Sequence, residues 1–365
     1  MFPREVIATG SLVLRPPAPH DADAIIRANA DPVTRRFLTL LPVPYTLDDA
    51  HDYLKLAEAK WANGGAEFTI TDATTGEYLG TVGVQPPDRW GSLEIGYALA
   101  PWARGKGVAT AAVRAVTQWA FDHGVHRVVL IAEVENVPSL KVAYGAGFVQ
   151  EGVQREAKVL RDGRRADWVV FARLATDAGL ASAPYLPVFD ELTDGVVRLE
   201  PITAADSGDF YAMLQDPVVD RYRFGPAPTE ADIERRCRYT GYWWVSGQRI
   251  ELAVRDAGSG AFAGHLQLMQ VVQALDQAMV GYSLVPEFRG KGFMTRAVRL
   301  LVDWAFDNTS LHRILAGTDA SNTASHQVLE RAGFERVATH RELFPQPDGS
   351  WTDDVEWLRL RPQKG

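Results

Sequence analysis

The sequence contains a single cysteine, Cys237, in 365 residues. One cysteine excludes an intramolecular disulfide and a cysteine-based zinc cluster. Because arginines flank it at positions 235, 236 and 238, we expect a thiol on the surface of a helix and not a nucleophile. The eight histidines show no metal-binding spacing such as His-x-x-x-His with a carboxylate, so we predict no metal site.

Long apolar runs are also absent. No stretch reaches the roughly 18 uninterrupted apolar residues of a membrane helix, and the N-terminal MFPREVIATG lacks the apolar core of a signal peptide. Basic residues are outnumbered, and the formal net charge of −8 argues against nucleic acid as the main partner and mildly favours cationic substrates. We therefore expect a cytoplasmic globular protein with no membrane partner.

What the sequence does contain is one pattern twice. GYALAPWARGKGVATAAVRAVTQWAFD begins at Gly96, and GYSLVPEFRGKGFMTRAVRLLVDWAFD begins at Gly281. Downstream, HRVVLIAEVENVPSLKVAYGAGF recurs as HRILAGTDASNTASHQVLERAGF, and upstream an Asp-Pro pair at Asp31 recurs at Asp216. So long a repeat predicts two globular domains of one fold, since 365 residues exceed what one core usually organises.

The domain limits follow from where each copy closes. The first copy ends with DWVVFARL and the second with DDVEWLRL. Between the copies lies a stretch rich in Ala and Pro without sustained periodicity. We predict an N-terminal domain over residues 1–176, a linker over 177–193 and a C-terminal domain over 194–365. Four apolar linker residues indicate that the linker packs on a domain surface: Tyr185, Leu186, Val188 and Phe189.

Within each copy, strands and helices interleave. SLVLRP reads as a strand, DADAIIRANAD as a helix with Asp21 at its N-cap, and residues 47–61 as a second helix. A hairpin, a strand, a helix over 110–121, another strand and a short helix follow, and a final hairpin turns at Asp162 and Gly163 or at Asp348 and Gly349. Because hairpins are included, we predict an α/β (α+β) fold with a mixed sheet flanked by helices in each of two tandem domains.

A glycine-rich turn carries the chemistry. The run Arg-Gly-Lys-Gly-Val-Ala, from Arg104 to Ala109, lies between a predicted strand and a predicted helix. Small residues let the backbone approach a ligand, and a helix start offers unpaired N–H groups to a pyrophosphate. A single copy of this motif would not distinguish an anion-binding turn from a solvated turn that caps a helix. Neither copy contains the G-x-x-x-x-G-K-[ST] loop or the G-x-G-x-x-G dinucleotide fingerprint.

With these motifs, the sequence resembles the GNAT (Gcn5-related) N-acetyltransferase superfamily, whose signature is Arg/Gln-x-x-Gly-x-Gly/Ala. The first copy matches the signature fully. More narrowly, GYALAPWARGKGVAT followed by Asn136-x-x-Ser139 and a Gly-Phe pair is similar to the branch that acetylates the α-amino groups of ribosomal proteins. The resemblance covers almost the whole chain outside the linker.

The resemblance implies that acetyl-CoA is the co-substrate. Turn N–H groups would hold the pyrophosphate, and the preceding strand would run beside the pantetheine arm. In the first copy the implied coenzyme residues are Tyr97, Ala98, Leu99, Arg104, Gly105, Lys106, Gly107, Val108, Ala109, Thr110 and Asn136. In the second copy they are Ser283, Leu284, Arg289, Gly290, Lys291, Gly292, Asn322 and Ser325.

Acetyl transfer to an amine needs a free lone pair, whereas lysine-like amines have a pKa near ~10.4 and α-amines near ~8. A carboxylate base is therefore useful at neutral pH. Glu94 matches the acidic position often used in the related branch, although it can also be read as a solvent-facing strand residue. Ser139 matches a serine that can stabilise the departing thiolate. The usual general-acid tyrosine position holds Ala143, with Tyr144 one residue later, so we assign no general acid.

The second copy departs further from the signature. Met279 replaces Glu94, and Met294 stands where Gly or Ala is usual, so we expect it to crowd the turn. His265, His326 and Glu251 are candidates for a different base, although such single ionisable residues are usually structural. We expect coenzyme binding there and doubt catalysis.

Two functions remain open from the sequence. The first is an acetyl-CoA-dependent N-acetyltransferase that transfers acetyl directly to a primary amine, either a protein α-amino group or a small-molecule amine. The second is a non-catalytic acyl-CoA-binding regulatory or scaffold protein. The sequence does not identify the acceptor or an oligomeric state.

Overall fold

The computed structural model describes residues 2–181, 184–223, 225–346 and 349–363. The chain folds into two compact units, Met1–Ala183 and Pro184–Gly365. Residues 182 and 183 of the predicted linker, and Asp348 of the last predicted turn, lie outside the described residues. Among the described helices, none is long and apolar enough to cross a membrane.

In its described part, the first unit contains five α-helices and one sheet. The helices are α1 Ala22–Asn29, α2 Pro32–Phe37, α3 Leu47–Ala62, α4 Val108–Asp122 and α5 Val137–Gly145. The strands are β1 Ile7–Thr9, β2 Leu12–Arg15, β3 Ala66–Asp72, β4 Tyr78–Val84, β5 Leu93–Leu99, β6 Arg127–Glu133, β7 Val149–Val159 and β8 Arg165–Leu174. The strand order is β1-β2-β3-β4-β5-β6-β8-β7, and only β5 and β6 pair in parallel. The predicted mixed sheet is confirmed.

The second unit repeats this plan in its own described residues. Its helices are α6 Ser207–Leu214, α7 Pro217–Arg221, α8 Glu230–Val245, α9 Phe293–Asn308 and α10 Thr323–Arg331. Its strands are β9 Leu192–Thr193, β10 Val197–Pro201, β11 Ile250–Asp256, β12 Phe262–Val272, β13 Gln277–Leu284, β14 Arg313–Asp319, β15 Glu335–Pro345 and β16 Trp351–Leu360. The order is β15-β16-β14-β13-β12-β11-β10-β9, with β13 and β14 parallel.

Local sequence explains where the helices begin. Thr46 and Thr229 form capping boxes that start α3 and α8. The prediction that Asp21 precedes the first helix is confirmed, but its side chain does not cap that helix. The buried carboxylate of Asp21 instead accepts hydrogen bonds from Arg15, at 2.6 and 2.9 Å, and from the Ala18 N–H at 2.9 Å. A buried carboxylate needs such partners, and the arginine that supplies them is six residues away.

The expectation of a surface thiol at Cys237 is wrong. Cys237 is on a helix, α8, but only 2% of it is exposed. Its flanking arginines misled the prediction, because Cys237 shares the inner face of α8 with Ile233 and Thr240 at helical spacing. Burial raises the pKa of this thiol to about 12, so it is protonated at neutral pH.

The segment that follows residue 183 packs on the second unit. Leu186 is fully buried in its core, and the Phe189 ring lies edge-on to both Trp244 and Trp304 at 4.8 Å. The Trp244 indole N–H donates to the Pro187 carbonyl. The expected packing of the linker on a domain surface is confirmed for this part of it.

This packing generates a stability prediction with an internal control. Leu186→Ala removes a fully buried side chain and should destabilise the second unit by about 3 kcal/mol. Leu180→Ala changes a leucine that is 78% exposed in the same stretch and should stay within about 0.5 kcal/mol. Urea unfolding of the full chain, with hydrogen exchange to assign the affected unit, measures both. Equal effects of the two substitutions would contradict the packing described here.

Candidate active site

The central feature of the site is a gap between two parallel strands. β5 pairs with β6 only from Leu93 to Ile95, although both strands continue further. On its other side β5 stays paired with β4 through Leu99. Residues 97–99 therefore present one row of backbone N–H and C=O groups to the gap. An extended ligand with amide groups can add there like a strand, as a pantetheine arm requires.

The second unit has the same gap. β13 pairs with β14 only from Gln277 to Met279, while its pairing with β12 continues to Leu284. The predicted residues Ser283 and Leu284 lie on the unpaired stretch. The separation of the strands is thus a property of the repeated backbone and not of one copy.

The turn after each gap has the conformation that an anion site needs. Gly105 and Gly107 have φ angles of +73° and +74°, in the left-handed region that favours glycine. A Cβ built on either one meets no atom within 4 Å, so the surface above them is open. Helix α4 starts without a side-chain cap, and the Ala111 N–H is bonded to the Gly107 carbonyl, which leaves earlier N–H groups of the helix for a ligand. These residues fit a pyrophosphate.

The second turn matches the first closely. Gly290 and Gly292 have φ angles of +72° and +79°, also with open space above them. The expectation that Met294 crowds this turn is wrong, because its side chain is 2% exposed and lies in the core under α9. The position is on the inner face of the helix, as is Ala109 in the first unit, so its side chain does not reach the ligand side.

The signature arginine ties the turn to the helical side of the unit. The Arg104 guanidinium donates to Asp31 Oδ2 at 2.6 Å and to Thr34 Oγ1 at 2.7 Å. Burial by itself raises the pKa of Asp31, but the hydrogen bonds from Arg104 and Thr34 hold it below its ordinary value. Arg289 donates to Asp216 at 2.6 Å in the same way. The aspartate of each repeated Asp-Pro pair is thus the partner of the signature arginine. The arginine side chains anchor the turns, whereas Lys106 and Lys291 are exposed.

A second anchor lies on the other side of the gap. Asn136 caps α5, and its Oδ1 accepts from the Ser139 N–H at 3.3 Å. The Tyr97 hydroxyl donates to the Ser139 carbonyl at 3.5 Å. Among the described residues, the Ser139 hydroxyl makes no hydrogen bond, so it can donate to a ligand. Asn322 and Ser325 repeat the cap in the second unit.

The Tyr144 side chain is held by contacts within the first unit. Its hydroxyl donates to Gln150 Oε1 at 2.7 Å, and its ring lies edge-on to Phe171 at 5.1 Å. These contacts agree with leaving the general-acid role unassigned.

In the first unit, Glu94 lies where the paired part of β5 and β6 ends and the gap begins. It is exposed, while its strand neighbours Leu93 and Ile95 are buried, as the alternation of a strand requires. The surrounding protein partly desolvates the carboxyl group and raises its pKa above the ordinary value. An exposed carboxylate with a raised pKa beside the gap is a candidate general base, as predicted from the sequence.

On the same face of β5, the first unit is open. Strand alternation places Gly96 and Ala98 on the face of Glu94, and Gly96 pairs with Gly83 on β4. A Cβ built on Gly96 meets no atom within 4 Å. Ala98 then lines a cavity of about 90 Å³ between the sheet and helices α1 to α3. Glu94, an open surface and a cavity therefore follow one another along one strand.

The corresponding face of the second unit is filled. Gln267 stands opposite Gly281, where a Cβ would meet Gln267 Nε2 at 3.0 Å and Met269 Cε at 3.3 Å. Further along, the buried His265 ring stacks on Phe210 at 4.5 Å. With Met279 at the position of Glu94 and Glu251 buried in ion pairs, the described residues of this face offer no accessible carboxylate and no space for an acceptor.

Two of the three alternative bases of the second unit, Glu251 and His265, are buried, and His326 is half-buried. Glu251 is fully buried and accepts hydrogen bonds from Arg236 at 3.0 Å, Arg249 at 3.1 Å and His265 at 2.9 Å. Burial alone would raise the pKa of Glu251, but these partners hold it at about 2. His326 packs against the Trp357 ring at 5.5 Å. The structural interpretation of Glu251 and His265 is confirmed.

Sequence reasoning missed the equivalent carboxylate of the first unit. Glu67 occupies the second position of β3, as Glu251 does in β11, and accepts from Tyr53 at 2.9 Å and Lys60 at 2.5 Å. The signal was present in the aligned hairpins AEFTITD and IELAVRD. Within the described residues, no group of histidine, cysteine and acidic side chains could hold a metal.

Comparison with known proteins identifies the family. The Acetyltransferase (GNAT) domain matches residues 11–149 and again 197–335, which together are more than half of the chain. The chain belongs to this acetyltransferase family, as the resemblance predicted. It is an N-acetyltransferase by family, and acetyl-CoA is the co-substrate that fits its two turns.

Individual relatives match one unit each. A Bacillus subtilis protein named as an N-acetyltransferase, YjcK, is 42% identical over 141 residues, 34% of this chain and 77% of that protein. The N-acetyltransferase p20 of Bacillus licheniformis is 30% identical over 173 residues, 47% of this chain and 96% of that protein. YdaF of Bacillus subtilis, named as a ribosomal N-acetyltransferase, is 36% identical over 139 residues, 37% of this chain and 74% of that protein.

The glycines of the turn can be tested for coenzyme binding. Gly107→Val forces a β-branched residue to φ near +74° and places a side chain where the pyrophosphate fits, so one acetyl-CoA site per chain should be lost. Gly163→Val imposes the same strain at φ +83° in a hairpin turn with open space and should keep every site. Calorimetric titration gives the stoichiometry. If both variants lost acetyl-CoA binding, backbone strain would be the cause and not the place of Gly107 in the proposed pyrophosphate site.

Proposed function

We propose that the first unit catalyses transfer of the acetyl group of acetyl-CoA directly to a primary amine, and that the second unit binds the coenzyme without reacting. One observation carries this proposal: the two units share the gap and the turn, but among the described residues only the first unit has an open face with an exposed carboxylate. The domain limits of the proposal are those predicted from the sequence, 1–176 and 194–365.

The residues of the first unit divide the reaction between them. Bound acetyl-CoA supplies a thioester whose acyl C–S bond breaks as the new C–N bond forms. Glu94 takes a proton from the acceptor ammonium, directly or through water, so that the amine has a lone pair. The Ser139 hydroxyl donates a hydrogen bond to the departing thiolate, which takes up the second proton that the nitrogen loses as the amide forms and leaves as free thiol. Backbone groups of residues 97–99 and 105–109 hold the coenzyme. This arrangement needs no side-chain nucleophile, so it fits direct transfer of the acetyl group to the amine.

The acceptor class is an amine. The name of YdaF supports a protein α-amino group, as does the narrower resemblance of the first copy. A net charge of −8 and an exposed carboxylate at the gap also favour small cationic amines. Incubation with acetyl-CoA and a panel of both kinds of amine, while free thiol is followed, separates these acceptors.

A non-catalytic acyl-CoA-binding protein is the alternative. Met279, the filled second face and the absence of an assigned general acid favour it. If the chain binds acetyl-CoA tightly and releases thiol with none of the amines, the alternative replaces the proposal.

Glu94 gives the sharpest mutational test. Glu94→Gln should lower kcat by about 100-fold or more, because glutamine cannot accept the proton, while acetyl-CoA affinity stays unchanged. Met279→Gln, at the same position of the second unit, should leave kcat unchanged. In the unmodified chain, kcat/KM should fall as the pH drops through the raised pKa of Glu94, since the base must be ionised.

The pH profile also distinguishes a base from a residue that only shapes the site. In Glu94→Gln the acidic limb attributed to this carboxyl should disappear. Turnover that survives in Glu94→Gln with its acidic limb intact would rule out the assigned role.

A further inference from the structure

The cavity of the first unit has a lining that the transfer reaction itself does not use. Its volume is about 90 Å³, enough for a small polar group. Six of its lining residues carry hydroxyl or amide groups: Asn29, Thr34, Tyr45, Tyr53, Tyr78 and Thr81. Three aromatic rings with hydroxyl acceptors around so small a space are suited to a compact cation.

The cavity lies at a defined distance from the proposed base. Ala98 lines it and Glu94 is four residues earlier on the same face of β5, about 13 Å away at the rise of a strand. Between them, a Cβ built on Gly96 meets no atom within 4 Å, so the surface of β5 itself is clear, whereas the Glu67 side chain lies over Gly83 on the neighbouring strand β4. An extended acceptor can therefore lie along β5 with one end at Glu94 and the other in the cavity.

The charges around the cavity favour a cation. Tyr53 donates to the buried carboxylate of Glu67 at 2.9 Å. Burial first, and then the charges of Asp21 and Glu67, raise the pKa of Tyr78. The same negative potential that disfavours a tyrosinate favours a bound ammonium. Arg15 and Lys60 pair with these carboxylates from outside the lining, and Arg104, which donates to the lining residue Thr34, is paired with Asp31. Within the described residues, the Tyr78 hydroxyl makes no hydrogen bond and can accept one from a ligand.

The fold does not require this cavity. At the equivalent positions of the second unit, larger or less polar side chains replace the lining. These replacements are Phe210 for Ile25, Met213 for Ala28, Val219 for Thr34, Phe262 for Tyr78 and His265 for Thr81. All but Val219 are buried, and most of them belong to one apolar cluster with Cys237. The described residues of the second unit fill these positions, whereas the first unit keeps a polar cavity there, which is typical of a binding site.

We propose that this cavity is a subsite for an alkylammonium group at the far end of an extended acceptor, whose primary amine reacts beside Glu94. The acceptor class is then a straight-chain diamine and not a simple monoamine. Which end reacts rests on the proposed function, whereas the binding itself does not.

Binding to the free chain tests the subsite without any turnover. Straight-chain diamines of increasing length are titrated calorimetrically beside the monoamine of the same carbon count. The best diamine should bind about tenfold more tightly than its monoamine, because the second ammonium enters the tyrosine-lined cavity. Thr81→His copies the residue that fills the second unit and should abolish this preference while acetyl-CoA affinity stays unchanged. Thr75→His, in the exposed turn of the same hairpin, should have no effect.

A second substitution that fills the cavity keeps the test valid if Thr81→His does not fold. Ala28→Met copies Met213 and should abolish the diamine preference in the same way. Equal binding of diamines and monoamines by the unmodified chain, or a preference that survives in a folded filling variant, would overturn the subsite. Equal acetylation of monoamines and diamines would overturn the subsite but support the proposed acetyl transfer. Selective diamine binding without acetylation of any amine would keep the subsite and contradict the proposed function.

Discussion

The parallel pairing of β5 with β6 ends at Ile95, and the rest of the site depends on this separation. Backbone groups in a sheet must be paired, so an unpaired row beside a gap is stable only when water or a ligand satisfies it. The gap is held open from both sides. Arg104 joins the turn to Asp31 on the helical side, and Tyr97 joins β5 to the start of α5. The second unit repeats both anchors, and its glycine turn keeps the same conformation despite Met294.

The two units differ mainly in what covers one face of the sheet. In an apolar core, a cavity of about 90 Å³ would cost about 2 kcal/mol, and the second unit avoids that cost by filling the space. His265, Phe210 and Arg236 pack there, and the Glu251 carboxylate pairs with the Arg236 guanidinium. The first unit keeps the space and lines it with polar groups instead. An open, less tightly packed face beside a carboxylate is what a functional site requires, and a filled face is what stability favours.

Much of the fold could be predicted because its signals are local. The duplicated turn, the helix after it and the hairpins depend on glycines and on periodicity within a few residues. What could not be predicted depends on contacts far apart in the chain. Asp31 meets Arg104 across 73 positions, and the flanking arginines of Cys237 concealed its inward face. The crowding expected of Met294 was wrong because the sequence does not say which side of a helix faces a ligand.

In the proposed division of labour, chemistry belongs to the first unit. The most direct measurement compares acetyl transfer by Gly107→Val and Gly292→Val, with circular dichroism and unfolding to confirm that both are folded. Each substitution strains a glycine of nearly equal φ, +74° and +79°, so the structural penalty is matched. We expect Gly107→Val to be inactive and Gly292→Val to turn over at close to the rate of the unmodified chain. A folded, inactive Gly292→Val beside an active Gly107→Val would contradict this division and transfer the catalytic role to the second unit.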